Sequence, residues 1–111
     1  SNFVNLAVRH LSAETSHEFI EWCGLLKGQT INSKLMTGKR IYKNYLYQEF
    51  IEENPDYAPK SKMTISRTRF NKWLAAFALF YSGQTPVEGR DMNGRWIIIK
   101  DKVDPQADMD F

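Results

Sequence analysis

Residues 62–83, KMTISRTRFNKWLAAFALFYSG, and residues 84–100, QTPVEGRDMNGRWIIIK, decide the reading of this chain. In the first segment Phe70, Trp73, Leu74, Phe77 and Tyr81 recur at i, i+3, i+4, i+7 and i+11, one narrow apolar stripe down a helix. Thr64 or Ser66 can cap its start, and Gly83 can end it. The opposite side carries Thr68, Asn71 and Lys72 early, then Ala75, Ala76 and Leu79. Its front is therefore wettable, and its rear calls for a cover, most simply the N-terminal helices. In the second segment residues 85–90 and 95–100 predict two strands around Asp91-Met92-Asn93-Gly94, because Asn-Gly tolerates the positive φ of a tight hairpin. Trp96, Ile97, Ile98 and Ile99 are strand-type residues. Trp96 and Ile98 share a face, expected to join Phe70, Trp73, Leu74, Phe77, Tyr81, Leu46 and Phe50 in the core.

Outward from this stretch, residues 41–53 predict a helix with Tyr42, Tyr45, Leu46 and Phe50 on one side. Of its tyrosines, Tyr47 is the one expected to be exposed and able to stack on bases. Asn54-Pro55 should end this helix, since proline disfavours a helical residue before it, and 56–61 reads as a turn. Residues 29–38 are polar and loop-like. Phe19, Ile20, Trp22, Cys23 and Leu26 suggest a helix closed near Lys27-Gly28, and Phe3, Leu6, Ala7 and His10 another over 3–11, with a break at 12–16. The expected fold class is mainly α with a small β-hairpin. Helix 41–53, turn, helix 65–82 and hairpin 85–100 follow the order of a winged helix-turn-helix. Its expected extent is 34–102, after an N-terminal helical extension (1–33) and before a loose tail (103–111).

The 111 residues leave room for one domain, and 42% hydrophobic with 25% charged residues is ordinary for a globular chain. The apolar runs are too short to span a bilayer, so no membrane partner is expected, and no signal-peptide pattern is visible. The start Ser1-Asn2, without methionine, resembles a cleavage scar and suggests a piece of a longer protein. A lone cysteine, Cys23, forms no internal disulfide, and the expected location is cytoplasmic. The net charge of +2 is uneven: residues 1–33 carry −1, 34–102 carry +6 and 103–111 carry −3. From Tyr57 to Trp73 the cations Lys60, Lys62, Arg67, Arg69 and Lys72 stand without an acid, an excess that favours a polyanion.

DNA is the expected partner, as duplex or fork. In helix-turn-helix proteins the second helix enters the major groove with its N-terminal residues on base edges. Here these are Thr64, Ser66, Arg67, Thr68, Arg69, Asn71 and Lys72, of which arginine can grip guanine and asparagine adenine through paired hydrogen bonds. Lys62, Thr64 and Ser66 suit phosphates, and Arg90 and Arg95 would bring the hairpin to the backbone or minor groove. Structural alternatives stand beside these roles. Arg67 and Arg69 can pair with Glu49, Glu52 or Glu53, and Arg90 and Arg95 with Glu88 or Asp91. Lys39, Arg40 and Lys43 make a basic helix start, against the helix dipole, where an anionic partner is attractive. His10, His17 and Cys23 form no zinc pattern, so neither a metal nor a cofactor is expected. Cys23 sits among Trp22, Leu25 and Leu26 as a core residue without a base to activate it.

The pattern T-I-S-R-T-R-F-x-K-W-L, followed by G-R-x-x-N-G-R-W-I-I-I, resembles the C-terminal winged-helix domain of phage- and plasmid-type, virulence-associated-E-like DNA primase–helicases. The resemblance covers about residues 38–102 and rests on Phe70, Trp73, Leu74, Gly94, Arg95 and Trp96. It implies a non-catalytic accessory role in the replication of a mobile element, joined to other domains of the same polypeptide or to a homo-oligomer. The family's phosphate-binding loop, G-x-x-x-x-G-K-[S/T], is missing from this chain, so no nucleotide hydrolysis is expected here. The competing reading is a protein–protein interaction or oligomerisation module of the same fold, docking through the apolar rear of the helix at Leu79.

Overall fold

The computed structural model describes residues 2–26 and 28–101. These form four α-helices, α1 (Asn2–Glu14), α2 (His17–Cys23), α3 (Lys43–Glu53) and α4 (Arg67–Ser82), with a short 3₁₀ turn at Pro55–Tyr57. Three strands, β1 (Ile41–Tyr42), β2 (Val87–Asp91) and β3 (Gly94–Ile98), make one antiparallel sheet in the order β1-β3-β2.

Helix α4 begins and ends where its sequence provides the chemistry. Ser66 is extended, and its Oγ accepts a hydrogen bond from Arg69 N at 3.1 Å, satisfying one of the free first-turn donors. Gly83 closes the helix in the left-handed region at φ +74°. The stripe is buried as expected at Phe70, Trp73, Leu74 and Phe77, while Tyr81 is only partly buried and stacks on Phe77. Helix α1 packs on α4. The rear of α4 is nevertheless incompletely covered, since Leu79 stays 51% exposed.

Helices α1 and α2 reach into this core. Phe19 and Trp22 pack with Phe50 of α3 and with Phe70, Phe19 also meeting Trp73 and standing edge-on to Phe70 at 5.9 Å between ring centroids. Burial of each such ring stabilises the fold by about 1.5–3 kcal/mol, with edge-to-face contact adding to it. Helix α1 runs on to Glu14, beyond the expected stop at residue 11, because Ser12 and Ala13 are tolerated in a helix. Helix α2 stops at Cys23, three residues earlier than expected. Gly24 takes φ +84° there, and a Cβ on it would overlap the Thr30 carbonyl oxygen as the following loop folds back. Lys27, the tail 103–111 and the side chains of Phe3, Leu6 and Ala7 lie outside the described residues.

Two expectations for the sheet need correction. Ile41 and Tyr42 open no helix. They are extended and pair with β3, Ile41 opposite Ile97 and Tyr42 opposite Trp96, so α3 starts only at Lys43. The core-facing side of β3 is that of Ile97 and Ile99, both fully buried, whereas Ile98, on the other side, is half-buried. Trp96, also on that side, is buried, lying against Gly89 with Arg40 4.3 Å above its ring. The hairpin tip also differs in detail. Asp91 and Gly94 pair across it, Gly94 alone takes positive φ (+119°), and Asn93 N donates to Asp91 Oδ1 at 2.8 Å. Among the tyrosines of α3 the roles are exchanged: Tyr47 is buried and donates to Ile65 O at 2.9 Å, while Tyr45 is 49% exposed.

Candidate nucleic-acid interface

The start of α4, the start of α3 and the β2–β3 hairpin enclose an open groove of about 330 Å³. Its lining is Lys43 and Asn44 from α3, Arg67, Thr68 and Asn71 from α4, and Arg90, Gly94 and Arg95 from the hairpin. Four of these eight residues are cationic and none is acidic. Arg67 and Thr68 are the first two residues of α4, and Lys43 and Asn44 the first two of α3. Neither helix has an acidic residue in its first turn, and Tyr42, which precedes α3, supplies no side-chain cap. Two partly positive helix ends therefore meet four cationic side chains in one place.

Four of the carboxylates expected as partners of this surface have other partners, one of them within the groove lining itself. Glu49 and Glu53 face Lys34, at 3.5 and 3.9 Å, and Glu53 also accepts from Trp22 Nε1. Glu88 pairs with the buried Lys43. Asp91 accepts from the Tyr42 hydroxyl at 2.8 Å and faces Arg40 at 3.4 Å. The Tyr42 hydrogen bond, then that from the Asn93 amide, and more weakly the Arg40 charge hold its carboxyl below the usual aspartate value. Among the described residues, Arg67, Arg69, Lys72, Arg90 and Arg95 make no ion pair. Arg67 lies 5.6 Å from the Tyr47 ring centroid. Arg90 and Arg95 stand directly opposite each other in the hairpin register, an arrangement of like charges that costs stability.

The expected site residues divide into groups. Arg67, Thr68, Asn71, Arg90 and Arg95 come together in the groove. Ser66, Arg69 and Lys72 line a separate depression beside Glu14 of α1, shared at its edge by Thr68. Thr64 lies before α4, in a third depression with Thr15, Ser16 and Tyr57. Lys62 is exposed in the preceding turn and lines none of these three. Asn44 was missed, and Lys43, expected at a basic helix start attractive to an anionic partner, was not joined to this groove. The signal was the cation at a helix start, but its position against the hairpin depends on β1 pairing with β3. Lys39 and Arg40 precede β1 and lie outside α3.

Of the other candidates, His10 and His17 are exposed, and among the described residues no three His, Cys, Asp or Glu side chains gather as metal ligands. Cys23 is fully buried, and that burial pushes its thiol pKa well up. No helix among the described residues is long and apolar enough to cross a membrane. Comparison with models of protein families, with curated proteins and with solved structures found no match for this chain.

Proposed function

We propose that this chain is a non-catalytic DNA-binding module of the winged-helix type, with α4 as the helix presented to the major groove and the β2–β3 hairpin as the wing. One observation carries the reading: a groove between the start of α4 and the hairpin, lined by Arg67, Arg90 and Arg95, which make no ion pair among the described residues, and by Lys43, which Glu88 neutralises. Polyanion binding needs such a surface, and asparagine and threonine beside arginine add the donors and acceptors that base edges and phosphates use. The element order supports it too, since β1, α3, α4 and the hairpin follow in sequence and β1 lies beside β3. The sequence resemblance to the C-terminal domains of primase–helicases supports the reading of an accessory module in a replication protein of a mobile element.

In this reading Arg67, Thr68 and Asn71 meet base edges or phosphates, Arg90 and Arg95 the backbone, and Arg69 with Lys72 an adjacent phosphate. A module with few phosphate contacts binds in the non-specific range, about 10⁻⁴–10⁻⁶ M. Titration of labelled duplex and single-stranded DNA at low salt, followed by anisotropy, tests this. Saturable binding that weakens steeply with salt is the expected result. No binding to either at about 100 µM overturns it in favour of a protein-interaction module, the reading favoured by the half-exposed Leu79 on the rear of α4.

A further inference from the structure

The hairpin places Arg90 and Arg95 in direct register, on the same groove as Arg67 and Lys43. The acids nearest in sequence do not relieve them, because Glu88 is held by Lys43 and Asp91 by Tyr42 and Arg40. The first residues of α3 and α4 line the same groove, so two helix N-termini add their partial positive charge. The arginines, which make no ion pair among the described residues, and the two helix ends favour an anion in the groove. An arginine pair also presents planar, forked donors that match the oxygens of a phosphate.

From these features we infer that the groove is a phosphate seat: one phosphate group lodges between the start of α4 and the Arg90–Arg95 pair, relieving their repulsion and tying the hairpin to the helix. The inference deepens the DNA-binding reading, and rests on it only for the source of the phosphate. It has an unusual consequence for Arg90. Removing this arginine should stabilise the free protein while cutting the stabilisation that phosphate provides by more than half. Lys43 is already neutralised by Glu88 and acts as a secondary contact, so the effect belongs to the arginines.

The experiment is thermal unfolding of the whole chain by circular dichroism, in chloride and in inorganic pyrophosphate at matched ionic strength. The variants are Arg90→Gln and Arg67→Gln, with Lys39→Gln, outside the groove, as control. Pyrophosphate is expected to raise the midpoint of the unaltered chain by about 2–4 °C. Arg90→Gln should melt about 1–4 °C higher than the unaltered chain in chloride and gain less than half as much from pyrophosphate. Arg67→Gln should lose the gain too, and Lys39→Gln should keep it. Equal gains in all four proteins would reduce the effect to general salting-out and overturn the seat, as would an Arg90→Gln protein less stable than its parent in chloride. A short duplex in place of pyrophosphate separates the two readings. Duplex binding that is indifferent to Arg90, without a pyrophosphate effect, removes the seat and leaves DNA binding standing. An Arg90-dependent pyrophosphate effect without duplex binding keeps the seat as a site for free phosphate and removes the DNA reading.

Discussion

At the scale of single residues, Gly89 and Asp91 do most to set the shape of the hairpin. Gly89 lies opposite Trp96, and its φ is not in the left-handed region, so its role is spatial: a Cβ would overlap the indole ring. The ring fits there although its Nε1 has no hydrogen-bond partner among the described residues. Gly89→Ala is expected to cost about 1–3 kcal/mol, typical of overpacking, measured by urea unfolding. A cost near zero would mean that the ring has room to move. Asp91 ties the hairpin tip to β1 through Tyr42. Its carboxyl pKa is depressed in the fold, so its contribution is present above the ordinary aspartate value and is lost as pH falls through the depressed one. The melting midpoint of Asp91→Asn should therefore fall below that of the unaltered chain at neutral pH, and the two should converge in acid. Parallel curves down to low pH would assign the depression to another group.

At the scale of elements, α4 was the most legible part of the chain and β1 the least. The spacing of Phe70, Trp73, Leu74 and Phe77 requires a helix, and the cap at Ser66 and the glycine at 83 bound it locally. Trp73→Ala removes a ring that is 6% exposed and packed against Phe19, Phe50 and Tyr57. It is expected to cost about 3–5 kcal/mol in chemical denaturation, and a loss under about 1 kcal/mol would contradict the packing described. Strand β1 is only two residues long, and its partner on β3 is more than fifty residues away in sequence. Its tyrosine and isoleucine fit a helical pattern as readily as a strand, so only tertiary pairing decides. The face of β3 was equally hidden, because Trp96, Ile97, Ile98 and Ile99 are all apolar and a period of two has no phase to read. The groove inherited this uncertainty. Its α4 and hairpin arginines were visible as a basic excess, but Lys43 and Asn44 join them only because β1 sets where α3 begins.

At the scale of the whole molecule, the uneven charge has a structural counterpart. Two of the three acids of α3, Glu49 and Glu53, face Lys34, Glu53 also accepting from Trp22 of α2, while the start of α4 and the hairpin leave their arginines to solvent. Helix α2 completes the aromatic core under α4 through Phe19, and α1 packs on α4 beside it, so both help to fix where the first turn of α4 lies. The central claim is that this arginine surface binds the DNA backbone. The most direct measurement is the salt dependence of duplex binding for the unaltered chain and for Arg90→Ala combined with Arg95→Ala, with folding checked by circular dichroism. The expected result is weaker binding by the double variant and a slope of log K against log salt flatter by about one unit, for the one phosphate that the pair holds. Affinity and slope unchanged in a folded double variant would contradict the claim and place any DNA contact on another surface.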